Sequence, residues 1–192
     1  KAAIRVKRYS SWRGEVGAIA DNLLQRNFQA ERPNEKWVTD VTEFAVNGRK
    51  LYLSPIIDLF NNEVISYSIS ERPAMAMIDE MLDKAFAKLD KKSTPTLHSD
   101  QGWQYQHRAW RVLLKHGRIR QSMSHRATCL DNAACETVFS KLKAENRPDT
   151  DYANQEDLIQ AIEEWIDYYN HRRIQTKLGN LTPLQYEARL AA

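Results

Sequence analysis

No stretch of this 192-residue chain approaches the ~20 consecutive apolar residues that a bilayer-spanning helix requires, and no charged-then-apolar leader opens it. A membrane-spanning helix is not expected, and a cytosolic, reducing compartment is. Cysteine is scarce: Cys129 and Cys135 are the only two, which speaks against a disulfide framework. Internal repeats and low-complexity tracts are missing, and wholesale disorder is not expected. Excess charge of one sign is small, with 28 Lys and Arg against 25 Asp and Glu giving +3, too little by itself to indicate a nucleic-acid partner. An initiating methionine is missing as well, and a chain opening at Lys1 inside a basic segment is expected to be a piece of a longer protein.

What is present describes an ordinary globular chain. Hydrophobic residues make up 42% and charged residues 28%, and the length suits one domain able to enclose a core without a metal to hold it together. Charge is unevenly placed. Lys1, Arg5, Lys7, Arg8 and Arg13 share the first fourteen residues with no acid, and Lys115, Arg118, Arg120 and Arg126 form a second run without one. Either run is a local patch able to meet phosphates, or simply a solvated face.

Residues 1–35 read as a basic linker with a short helical piece over Val16 to Leu24. From Lys36 the character changes to strands, Trp37 to Val46, Lys50 to Phe60 and Glu63 to Ser70, separated by the turn formers Asn47-Gly48 and Asn61-Asn62. The first lacks clean alternation, as expected of a central strand covered on both faces. Pro55 sits awkwardly in the second, because it removes a ladder donor and demands a bulge or an outward-facing amide. Ile78, Met81, Leu82, Ala85, Phe86 and Leu89 then recur at helical spacing. A strand over Thr94 to His98, a helix over Gln106 to His116, a strand over Ile119 to Met123 and helices over Asp131 to Ala144 and Gln155 to Tyr169 complete the order. Thr182-Pro183-Leu184-Gln185 carries the signature of a capped helix start. The expected fold is α/β, a mixed five-stranded sheet with helices on both faces.

Three acids stand out. Asp40 lies in an apolar strand, where an uncompensated charge is costly. Asp100 ends the strand Leu97-His98-Ser99 before the turn Gln101-Gly102. Glu136 lies on a polar stripe with Asn132, Ser140 and Lys143, beside the apolar stripe Cys135, Val138, Phe139 and Leu142. Singly, each has an ordinary explanation as a turn former or a solvated helix face. Jointly they suit phosphodiester chemistry, in which hard divalent ions roughly 4 Å apart activate the attacking oxygen and stabilise the leaving one.

Asp40 within WVTDVTEF, Asp100 within LHSDQGWQY and Glu136 within DNAACETVFSKLKAE, with 35 residues between the last two acids, resemble the DDE motif of bacterial insertion-sequence transposases. The likeness is to second-frame products whose core is similar to retroviral integrase, and it extends to the ending YYNHRRIQTKLGNLTPLQYE. The resemblance implies a ribonuclease H-like fold, with residues 36–150 as catalytic core and 151–192 as a helical extension of it. It implies that Asp40, Asp100 and Glu136 bind two Mg²⁺ or Mn²⁺ ions for DNA cleavage and strand transfer at element ends. Lys143, Lys141, Asn132 and Arg126 would be DNA contacts and His98 a supporting group near the metals. Assembly as a homo-oligomer on DNA, in the bacterial nucleoid, is likewise implied. Two departures are visible: Arg126 to Leu130 lacks the glycine common before the catalytic helix, and no upstream helix-turn-helix region is in the chain. A nuclease that cuts without joining, and a DNA-binding remnant without activity, remain as rivals. His125, Cys129 and Cys135 are too few for a structural zinc site, and Asp58, Glu43, Asp131 and Glu145 are expected to cap or form ion pairs, Asp58 being the reserve should Asp40 fail.

Overall fold

The computed structural model describes residues 17–90, 92–124, 133–146 and 152–191. Its strands are β1 (Lys36–Thr39), β2 (Thr42–Val46), β3 (Arg49–Asp58), β4 (Val64–Ser70), β5 (Thr96–Ser99) and β6 (Arg120–Met123). The helices are α1 (Met75–Lys88), α2 (Trp103–Gln106), α3 (Arg108–His116), α4 (Ala133–Asn146), α5 (Gln155–His171) and α6 (Pro183–Ala191). One mixed sheet results: β3 pairs antiparallel with β4 on one side and with β1 and β2 on the other, and β1, β5 and β6 continue in parallel.

The six strands occupy the five expected positions, because β1 and β2 are a single strand interrupted at Asp40–Val41. Thr39 pairs with Ile56 and Thr42 with Leu53, so the register against β3 runs through the gap and sets Asp40 opposite Pro55. The N–H of Asp58 points to Glu63 beside β4, and that of Leu59 to Lys36 at the start of β1. Alternation back along β3 therefore aims the nitrogen of Pro55 at Asp40, where proline has no hydrogen to donate. The difficulty posed by a proline in a central strand is resolved by this break in the ladder. On the other side of β3, a register shift between Ile56 and Ile57 accommodates an extra residue of β4.

Successive residues of β1 face opposite layers, which explains its lack of alternation. Val38 joins Leu53, Ile57 and Val64 under Cys135, Val138 and Leu142 of α4 and Leu158, Ile162 and Trp165 of α5. Trp37 joins Ile56 and Leu97 under Ile78, Met81 and Leu82 of α1 and Trp110 and Leu114 of α3. Each such fully buried side chain contributes about 1.5–3 kcal/mol. Asn47 and Gly48 both take positive φ, 47° and 74°, the conformation a tight hairpin between β2 and β3 requires. The capping box at α6 forms as expected: Thr182 N–H donates to Gln185 Oε1 at 3.1 Å and Gln185 N–H to Thr182 Oγ1 at 3.2 Å.

Two local expectations are corrected. The stretch from Gly17 to Leu24 is not helical. Its backbone is drawn instead onto the outer strand: Leu23 N–H donates to Ser122 Oγ at 2.9 Å, Ala20 N–H meets Met123 Sδ at 3.2 Å and Met123 N–H donates to Asp21 C=O at 3.2 Å. Residues 17–29 thus form a strap along β6. The helix expected over Gln106 to His116 starts later, because His107 is extended and its ring nitrogen caps Ala109 N–H at 3.2 Å, separating α2 from α3.

Candidate active site

The parallel register that pairs Lys36 with Thr96 and Val38 with His98 aligns Asp40 with Asp100 at the carboxyl ends of β1 and β5. Neighbouring strands lie about 4.8 Å apart, so the two backbones are adjacent there. Each aspartate is braced by its own turn: Asp40 Oδ1 accepts Val41 N–H at 2.8 Å, and Asp100 Oδ1 accepts Gly102 N–H at 2.8 Å. The turn after Asp100 is tied down by Gln101 Nε2 donating to Ser124 C=O at 3.0 Å and by Gln106 Nε2 donating to Gln101 C=O. A Cβ on Gly102 would stand 2.9 Å from Asp100 Oδ1, so only glycine leaves that carboxylate its place.

Glu136 enters from the opposite layer, in the first turn of α4, and is exposed. Its neighbour Cys135 is fully buried, and its thiol is raised well above the ordinary range, first by burial and then by the fields of Asp40, Asp100 and Glu136 together. Tyr105 of α2 is raised in the same way, by burial and then by Asp40, with Asp100 adding to it. Both groups stay protonated, the form an acidic neighbourhood favours. Asp100 keeps contact with solvent, yet enough protein surrounds its carboxyl that desolvation raises its pKa, offset in part by Gly102 N–H.

Comparison with known proteins bears on this arrangement. Residues 30–129 match a model of the integrase core domain, and residues 117–183 match a second model of the same description. The putative transposase InsK of insertion sequence element IS150 from Escherichia coli is 62% identical over 186 residues, which is 97% of this chain and 66% of that protein. The chain belongs to the integrase core domain family, among the bacterial insertion-sequence transposases. An uncharacterized transposase-like protein of Haemophilus influenzae is 49% identical, over 97% of this chain and 86% of its own length. Among solved structures, the catalytic core domain of HTLV-2 integrase in complex with magnesium aligns with a TM-score of 0.64 at 18% identity, covering 82% of this chain and 98% of that one. A chain of the simian T-cell lymphotropic virus intasome aligns at 0.68 and 19%, covering 89% and 57%. These likenesses establish the ribonuclease H-like fold.

Asp40 and Asp100 stand at two adjacent strand ends and Glu136 near a helix start. Among the described residues, however, no three His, Cys, Asp or Glu side chains stand close enough to hold one ion together. Carboxylate oxygens are nevertheless the donors that hard divalent cations take, and Asp40 and Asp100 offer them at adjacent strand ends. The other expected residues are dispersed. His98 is fully buried, with Nδ1 2.8 Å from Ser122 Oγ and its ring 5.9 Å edge-on from Phe28, so the strap backs it. Lys143 is exposed, its ammonium 5.1 Å over the Phe44 ring, whereas Lys141 lies over Tyr169 on another side of α4. Asn132 and Arg126, with Asp131, His125 and Cys129, lie outside the described residues. Asp58 is buried and accepts Asn34 N–H at 2.7 Å and Phe60 N–H at 2.9 Å. Glu43 pairs with Lys50 at 2.9 Å and Glu145 with Arg173 at 2.8 Å. Tyr105 and the Phe28–Ser122 backing of His98 had no sequence signal beyond Tyr105 closing the LHSDQGWQY motif.

Among the described residues, no helix is long and apolar enough to cross a membrane.

Proposed function

We propose that this chain is the catalytic core of a transposase that cuts DNA at the ends of an insertion element and joins the freed strand to a target, using Mg²⁺ or Mn²⁺ held by Asp40, Asp100 and Glu136. The observation carrying this reading is the parallel register that brings Asp40 and Asp100 to the adjacent carboxyl ends of β1 and β5, in a chain of the integrase core domain family. Carboxylates on neighbouring strand ends repel unless a cation sits between them, so this pair suits one. A bound pair of divalent ions would activate the attacking oxygen and stabilise the leaving oxygen of the phosphodiester. The chain's own part is positioning. Val41 and Gly102 N–H groups orient the two aspartates, the strap and Ser122 fix His98 beneath the ends of β5 and β6, and exposed Lys143, about 10 Å further along α4 than Glu136, offers a charge to a DNA phosphate. Asn132 and Arg126 are assigned to the same DNA path, and work as a multimer on DNA is part of the proposal.

The test is incubation of the chain and an Asp100→Asn variant with labelled pre-nicked DNA in Mn²⁺ and in EDTA. Metal-dependent joined strands, lost in the variant, are expected. Cleavage without joining would replace transposase by nuclease. Should no product form, the melting temperature decides: a rise with Mn²⁺ in the parent and none in Asp100→Asn supports the metal site, and equal behaviour of the two refutes it.

A further inference from the structure

The outward face of α3 carries cations that nothing in the fold answers. Arg108, Arg111 and Lys115 are exposed, and at about 100° per residue they return to within about 60° of one another, a stripe about 10.5 Å long. On the sheet side of the same helix Trp110 and Leu114 are buried. Beside it runs α1, whose Phe86 ring lies against Gly117 just past the end of α3. Among the described residues none of the three cations makes an ion pair, with Asp79 or Asp83 of α1 or with any other acid. The chain from Gln101 to Leu130 contains no acid at all. This arrangement works against the helix that bears it. Arg108 and Arg111 are three residues apart and Arg111 and Lys115 four, so like charges face one another along the stripe. Arg108 opens the helix and no acid lies in its first turn, although the dipole there favours negative charge. Basic character is not general to the surface: α5, on the other layer, exposes Glu156, Asp157, Glu163, Glu164 and Asp167 and has no lysine or arginine.

We infer that the α3 stripe is a docking surface for the phosphate backbone of duplex DNA outside the reacting phosphodiester. Gln106 Nε2, donating to Gln101 C=O, ties the start of α3 to the turn after Asp100. The helix finishes towards the opposite end of β5, where Arg120 pairs with Thr96. The stripe therefore leads away from the candidate metal ligands along the α1–α3 layer. One strand of a duplex carries a phosphate about every 3.4 Å of axis, so the stripe spans about three phosphate steps. Contacts of this kind fix the register of DNA without reading its bases. Two of the three cations, Arg108 and Arg111, precede the basic run that opens at Lys115, and only the helical spacing gathers them with it. This inference rests on the DNA reading above.

The experiment is fluorescence anisotropy of a labelled duplex in EDTA, titrated with salt from about 50 to 200 mM. It compares the parent with Arg108→Gln/Arg111→Gln/Lys115→Gln and with Arg72→Gln/Lys92→Gln/Arg189→Gln, which removes the same charge from exposed positions elsewhere. Each cation that neutralises a phosphate contributes about 0.9 to the slope of log affinity against log salt, so the α3 variant should lose about 2.7 and the control close to nothing. The α3 variant should melt no lower than the parent, because repulsion along the helix is relieved. Should it fail to fold, Arg111→Gln alone is read in the same way, with a loss of about 0.9 expected. A parent that binds and an α3 variant that keeps the parent's slope overturn this surface and leave the DNA reading standing. A parent that does not bind overturns both. Equal losses in the two triple variants would mean long-range attraction without docking, and overturn the surface as well. Loss of a parent dimer in the α3 variant alone, by sedimentation, beside an unchanged slope, would give the stripe to the acidic α5 face of a second copy and overturn DNA as its occupant.

Discussion

Asp58 offers a sharp separation of a structural acid from the candidate ligands. It is 2% exposed, and burial, with Glu63 and Glu187 adding to it, raises its pKa to about 6 in spite of the N–H groups of Asn34 and Phe60. An acid raised in the folded state binds its proton there while the unfolded chain, near its ordinary value, has released it. Stability is therefore lost as pH rises between about pH 4 and pH 6 and is flat above. A shift of about two units corresponds to about 3 kcal/mol. Asp58→Asn cannot serve both N–H groups and so carries a pH-independent cost of about 1–3 kcal/mol. The comparison must rest on slope. Urea denaturation of parent and Asp58→Asn across this range should show the parent losing about 3 kcal/mol relative to the variant as pH rises. Parallel curves would refute the claim that burial of this carboxyl dominates its environment. In the same series Asp58→Asn should retain metal-dependent strand transfer. Its abolition in a folded variant would return Asp58 to the list of ligands.

Gly102→Ala should leave global stability within about 1 kcal/mol, since Gln104 can swing aside, yet reduce strand transfer about tenfold to a hundredfold by displacing Asp100 Oδ1; activity equal to the parent in the gel assay would count against the braced aspartate. Asn170 holds α5 to β4 by accepting Val64 N–H and donating to Val64 C=O, both at 3.0 Å. Asn170→Ala strands both buried groups and should cost about 2–4 kcal/mol in urea denaturation; a loss below about 0.5 kcal/mol would show that water replaces the amide.

The elements that carry the candidate site were legible where they coincide with local pattern. Asp100 ends a short apolar strand, Glu136 sits beside the stripe Cys135, Val138, Phe139 and Leu142, and that stripe is buried as its spacing demands. What escaped depends on partners distant in sequence. The interruption at Asp40 follows from Pro55, and its position becomes visible only when the β1–β3 register is known. Gly17 to Leu24 has helical composition, but Ser122 and Met123 compete for its backbone N–H groups. His107 could be counted into a helix or made its cap, and the extended backbone there chose the cap.

The strap has a kinetic consequence as well. Its hydrogen bonds to Ser122 and Met123 join residues 99 and 103 positions apart, so the earliest described residues are fastened to the last strand of the sheet. Loop closure over that distance cannot precede synthesis of β6, which carries its partners. At ribosomal speeds of about 5–20 residues per second, the segment around Leu23 and Phe28 waits about 5–20 s before its docking surface is made. During that interval the chain carries an unpaired β6 edge or an undocked strap, and nascent molecules crowded on one message can exchange them.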